Sequence, residues 1–168
     1  TSHLIQKHGL TDLLCLTGTR GHYTAEQRAL GFRDAMEAAH LPVTDDMILY
    51  GDYWHDAAKA LAQEFIDGKR KLPQGVVCGN DPMAMALCHG LIGNGIRIPE
   101  DIMITGYDAS LTETRSMIPL TSYVRKNFLL GAQGVARLYQ MMTGEDCQLT
   151  EPERIEVITG DSCACGVD

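Results

Sequence analysis

A chain of 168 residues holds one domain, or one and a small appendage, and can bury a core without disulfide or metal staples. Apolar residues make up 45% and charged residues 21%, a globular balance that excludes a disordered tail or a fibrous repeat. Against 22 Asp and Glu stand 14 Lys and Arg, and a net charge of −8 is repelled by phosphate backbones, so this chain is not expected to bind nucleic acid by itself.

No apolar run approaches the roughly 18 residues that span a bilayer. The chain opens Thr1-Ser2-His3, without an initiator Met or a basic-then-apolar leader, and is expected to be a piece of a longer protein. Leu13-Leu14-Cys15-Leu16-Thr17 then reads as a buried strand, closed by Gly18-Thr19-Arg20-Gly21. Thr24 opens a helix pattern with Leu30, Ala35, Met36 and Ala39 on one flank, ending near Leu41-Pro42. A short strand from Met47 to Tyr50 leads through Gly51-Asp52 to a helix from about Trp54 to Asp67, stopped by Gly68. Gly75 to Cys78 is a third strand; Asn80 or Asp81 can cap the next helix, with Pro82 in its first turn and its end near Gly93. Ile102 to Thr105 begins a fourth strand that ends at Gly106-Tyr107-Asp108.

Strands alternating with helices predict an α/β fold, a doubly wound parallel sheet covered on both faces. After Asp108 the rhythm changes. Leu120 to Val124 is a fifth extended run, Phe128 to Met142 a helix apolar over most of its circumference, and Ile155 to Ile158 a last, alternating strand. So apolar a helix expects partners on two sides.

Ligands of open parallel sheets bind beyond the carboxyl ends of the strands. The residues that follow these strands are Arg28 in the helix after Gly18-Thr19-Arg20-Gly21, then Asp52, Tyr53 and Trp54, then Asn80 and Asp81, and finally Tyr107 and Asp108. An arginine, rings, an amide and carboxylates together suit carbohydrate hydroxyls, with bidentate groups on the rim and rings against the apolar face. Each also has a plain structural reading. Asn80-Asp81 could cap a helix, Asp52 shape a turn, Tyr53 and Trp54 pack, and Arg28 sit solvated on its helix. Asp108 has no helix nearby to cap.

Enzyme templates are missing. The chain has no Gly-x-x-x-x-Gly-Lys-Ser/Thr and no Gly-x-Ser-x-Gly, and Gly90-Leu-Ile-Gly93-Asn-Gly95 falls at a helix end. The six histidines show no metal-binding spacing and read as surface or core residues. Four of the six cysteines, Cys15, Cys78, Cys88 and Cys147, are scattered through the chain as small hydrophobes. Cys163 and Cys165 form a Cys-x-Cys pair in the tail, but two thiolates leave a tetrahedral zinc half-coordinated, and an inert tail or a linker is the simpler reading. No metal, cofactor or catalytic residue is therefore assigned.

The motifs Arg28-Ala-Leu-Gly31-Phe32, Gly51-Asp52-Tyr53, Cys78-Gly-Asn80-Asp81-Pro-Met83-Ala84, Gly93-Asn-Gly95-Ile-Arg-Ile-Pro99-Glu-Asp101-Ile, Thr105-Gly106-Tyr107-Asp108 and Pro119-Leu120-Thr121-Ser122-Tyr123 run in order from His3 to Ile158. In that order and spacing the chain resembles the effector-binding domain of the LacI/GalR family of transcriptional regulators, which is similar to periplasmic sugar-binding proteins. The resemblance implies a two-lobed fold of which residues 1–118 are the C-terminal subdomain, 119–160 a crossover segment and 161–168 a cysteine-containing tail. It implies that Arg28, Asn80 and Asp108 bind sugar hydroxyls and that Tyr53 stacks on or lines the pocket. It further implies a cytoplasmic, non-enzymatic ligand sensor, a small sugar-like effector, a DNA-binding head upstream, a homodimeric parent and no membrane partner.

Three departures accompany it. Tyr107-Asp108-Ala109-Ser110 lacks the second acidic residue common after this strand, Trp54 doubles the aromatic after Gly51-Asp52, and the tail is unusual in sugar-responsive repressors. That tail looks more like the ending of a sensor joined to a cyclic-dinucleotide synthase or a kinase. An enzyme using Asp108 and a lobe that only mediates protein contacts remain alternatives.

Overall fold

The computed structural model describes residues 1–109, 117–124, 127–145 and 156–165, the side chains of 127 and 128 excepted. The chain begins with a short helix, α1 (Ser2–His8), followed by β1 (Leu13–Thr17), α2 (Tyr23–Ala38), β2 (Ile48–Tyr50), α3 (Asp56–Ile66), β3 (Gly75–Cys78), α4 (Asp81–Ile92) and β4 (Met103–Asp108). Then come β5 (Thr121–Val124), α5 (Asn127–Thr143) and β6 (Glu156–Ile158). The predicted elements all appear, with ends moved by a few residues. Ile155, Cys147 and Ser110, named in the sequence reading, lie outside the described residues.

The strands form one sheet in the order β2-β1-β3-β4-β5-β6. Every pairing is parallel except β5 with β6, which runs antiparallel with Tyr123 opposite Val157. The single departure from an all-parallel sheet thus sits at its edge, where an alternating strand belongs. The two layers follow from the period of β1. Leu14 and Leu16 face α3 and α4, packing with Leu61, Phe65, Leu87 and Leu91. Leu13 and Cys15 face the other way, against Leu4 of α1 and Phe32 and Met36 of α2. All five residues of β1 are buried, as a central strand covered on both faces requires. Each fully buried Leu or Phe contributes about 1.5–3 kcal/mol of hydrophobic stabilisation.

Burial also disposes of most cysteine chemistry. It pushes the thiols of Cys15 and Cys88 up to about 12 and raises that of Cys78 as well, so these three remain protonated packing residues. Among the described residues no helix is long and apolar enough to cross a membrane.

Candidate functional site

The strand order reverses direction at β1: β2 lies on one side of it and β3 on the other. A crevice opens at such a point because the loops after the two strands diverge to opposite sides. The helix after β1 and the loops after β2 and β3 bring Arg28, Tyr53 and Asn80 to this end of the sheet, where β4 ends on Asp108.

Arg28 is the centre of the arrangement. Its guanidinium lies 4.2 Å from the centroid of the Tyr107 ring and 5.5 Å from that of Tyr53. Tyr107 in turn stacks on Tyr123, its parallel-strand neighbour, with centroids 4.7 Å apart and rings 11° from coplanar. Arg28 Nη1 donates to the Tyr53 hydroxyl at 3.2 Å and to Thr24 O at 3.3 Å. Its Nη2 is 3.9 Å from Asp108 Oδ1. Among the described residues Arg28 Nε is buried without a hydrogen-bond partner. An unmet buried donor costs about 1–3 kcal/mol, and more beside a charge.

Tyr53 is placed by backbone as much as by packing. Its φ is +67°, a left-handed value that turns its ring back over Gly18. A methyl group at Gly18 would overlap that ring, so glycine is what allows the contact. The Tyr53 hydroxyl also pairs with Thr24 Oγ1 at 2.8 Å. Trp54, the second ring of the pair, is 67% exposed and faces His55 instead. Asp52 shapes the turn between them, its Oδ1 accepting from the Trp54 N–H at 2.9 Å.

Asn80 caps α4: Oδ1 accepts from Met83 N at 3.0 Å. Its Nδ2 donates to Tyr53 O at 2.8 Å, so the cap also tethers the loop that carries the ring. Asp81 is buried in the first turn of α4 and accepts from Ser122 Oγ at 2.6 Å, joining α4 to β5. Asp108 has φ +94° and Ala109 +45°. Non-glycine residues in this region cost of order 1–3 kcal/mol and cluster where surrounding structure holds a functional geometry.

The fold therefore brings Arg28, Tyr53 and Asp108 into one cluster and places Asn80 behind Tyr53. Tyr107 and Tyr123 belong to the same stack, and Thr24 holds the Tyr53 hydroxyl. Their positions at strand and helix ends were the available signal for Tyr107 and Thr24; that for Tyr123 was its motif alone. Arg28 and Tyr107 also border a cavity of about 780 Å³ between α1, α2 and the sheet, whose wall includes His3, Phe32, Ser122 and Tyr123.

A family profile described as a periplasmic binding protein-like domain matches residues 1–163. The chain belongs to that family. Its curated relatives are named as HTH-type transcriptional regulators, and solved structures that share its fold include LacI-family regulators, the likeness that the motif order implied. It is 41% identical over 108 residues to the HTH-type transcriptional repressor PurR of Vibrio parahaemolyticus, covering 64% of this chain and 32% of that protein. A sugar-binding transcriptional regulator of the LacI family from Escherichia coli, complexed with phosphate, shares the fold with a TM-score of 0.85 at 21% identity. That match covers 96% of this chain and 57% of the other. The complex of the transcriptional regulator CelR with cellobiose superposes with a TM-score of 0.80 at 26% identity, covering 96% of this chain and 49% of that one. The chain spans less than half the length of the curated relatives it matches.

Proposed function

We propose that this chain is one lobe of a cytoplasmic, non-enzymatic sensor that binds a small sugar-like effector and passes the event to a DNA-binding head in a homodimeric regulator. The observation that carries this reading is the Arg28 cluster: a cation held between rings and beside Asp108, at the sheet end where α/β ligands bind. Guanidinium and carboxylate can each engage two neighbouring hydroxyls, and Tyr53 supplies a flat apolar surface for a sugar ring. Asn80 serves the site from behind, by holding the Tyr53 loop.

In this reading residues 1–118 form the lobe, 119–160 cross toward a second lobe, and the effector closes the two because it binds the closed state better. The exposed apolar face of α5, including Val135, Leu138 and Met142, fits burial against that second lobe. A relative's complex with cellobiose makes saccharides the first compounds to test.

The test is calorimetry on the two-lobed parent protein with mono- and disaccharides, sugar phosphates and planar heterocycles. Binding of one saccharide class is expected, without turnover. Arg28→Ala and Asp108→Ala should each weaken it about tenfold to a hundredfold, the equivalent of one charged hydrogen bond. Turnover of the ligand, or tight binding unaffected by both substitutions, would refute the assignment; preference for a planar heterocycle would keep the cleft and discard the sugar.

A further inference from the structure

The two tail cysteines are not isolated. His3 and His8 of α1 meet Cys163 and Cys165, and the four ligand atoms all lie within 4.8 Å of one another. His3 Nε2 is 3.4 Å from Cys163 Sγ and 3.5 Å from Cys165 Sγ, and His8 Nε2 is 3.1 Å from Cys165 Sγ. We propose that these residues form a tetrahedral Cys2His2 site for a zinc ion that joins the first helix to the tail.

Size and chemistry agree. With Zn–S near 2.3 Å and Zn–N near 2.05 Å, the edges of a tetrahedron run from about 3.4 to 3.8 Å. The sulfur–nitrogen edge is about 3.6 Å; the two contacts of His3, at 3.4 and 3.5 Å, lie close to it, and that of His8 with Cys165, at 3.1 Å, would open on binding. Two thiolates and two imidazoles are a donor set that favours zinc over hard cations. On binding, each thiol gives its proton to solvent and its sulfur pair to the metal, while the imidazoles coordinate through neutral Nε2. No oxidant or reductant is involved.

The tail is built to present these sulfurs. Ser162 and Cys163 are fully buried in a short turn, Asp161–Cys163. Ser162 Oγ donates to Ile104 O at 2.6 Å and accepts from Thr121 N at 2.9 Å, while Thr121 Oγ1 lies 2.9 Å from Cys163 Sγ. Ala164, between the cysteines, takes a left-handed φ of +59° that brings both sulfurs to the histidines. An alanine is held there against its preference. A docked, strained tail of this kind differs from the inert one expected from two ligands alone. Spacing could not show the other two, because the paired residues stand 157 and 160 positions apart. His3 also lines the cavity bordered by Arg28, so the metal would fix one wall of it.

The experiment uses the full chain, reduced and stripped with chelator. One equivalent of zinc should be retained through gel filtration and should raise Tm, and both effects should be lost in His8→Ala and in Cys165→Ser. Cobalt(II) in place of zinc should give thiolate-to-metal charge transfer and the intense visible bands of a tetrahedral ion. This spectrum reads the ligand set in the unaltered chain, so it decides the matter even where a variant folds poorly. Weak six-coordinate cobalt absorption, a Tm indifferent to zinc, or zinc retention unchanged in both variants would overturn the proposal.

Discussion

The Asn80 carboxamide uses both of its ends, Oδ1 receiving the Met83 N–H and Nδ2 donating to Tyr53 O. Asn80→Ala therefore removes a helix cap and leaves a loop carbonyl without its donor. Urea denaturation should show a loss of about 2–4 kcal/mol, the sum of about 1 for the cap and about 1–3 for the unmet group. Asn80→Asp should recover only the cap, because a carboxylate still accepts from Met83 N and suits the positive end of the α4 dipole, but its second oxygen cannot donate to Tyr53 O. Much of the site at this scale was legible. Asp108 stood out because it follows a strand end with no helix to cap, which is a local fact, whereas Arg28 read as a solvated helix residue and was singled out by its motif. Choosing between Tyr53 and Trp54 was beyond pattern reading. The left-handed backbone at Tyr53 and the missing side chain at Gly18 put the Tyr53 ring, not that of Trp54, beside Arg28, and both depend on how the loop after β2 lies against the loop after β1.

Among the elements, α5 and α1 depart from simple amphipathic behaviour in opposite ways. The sequence pattern of α5 is apolar around most of its circumference, and Val135, Leu138, Tyr139 and Met142 form a stripe that is exposed in this chain. Leu138→Ser should accordingly leave the Tm of the chain alone nearly unchanged. In the two-lobed parent it should lower Tm, since burying a leucine contributes about 1.5–3 kcal/mol; thermal melts of both forms check the pair. The first helix, α1, was not predicted. It is seven residues long, too short for propensity to sustain, and Thr1 makes no side-chain cap bond. Its helical state comes from tertiary packing: Leu4 is fully buried against Leu13 and its neighbours, and Gly9 ends the helix with a left-handed turn.

Across the whole molecule, charge and topology make separate statements. A net charge of −8 sets the chain against duplex DNA, so it should cause no retardation in a gel-shift assay even at low salt. Any DNA affinity of a parent regulator would then belong to another domain. The α/β class, the described helices and strands from β1 onward and the strand ends where Arg28, Tyr53 and Asp108 gather were all readable, because hydrophobic period and turn residues act over a few neighbours. Strand order, the antiparallel edge at β6, the Tyr123–Tyr107–Arg28–Tyr53 stack and the histidine–cysteine group were not. Each joins residues that are distant along the chain, and their proximity arises only when buried strands pair and helices cover them. The strand period of about 2 and the helix period of about 3.6 residues record which face a side chain takes; which distant face it meets is settled by closing the sheet and excluding water from both of its sides.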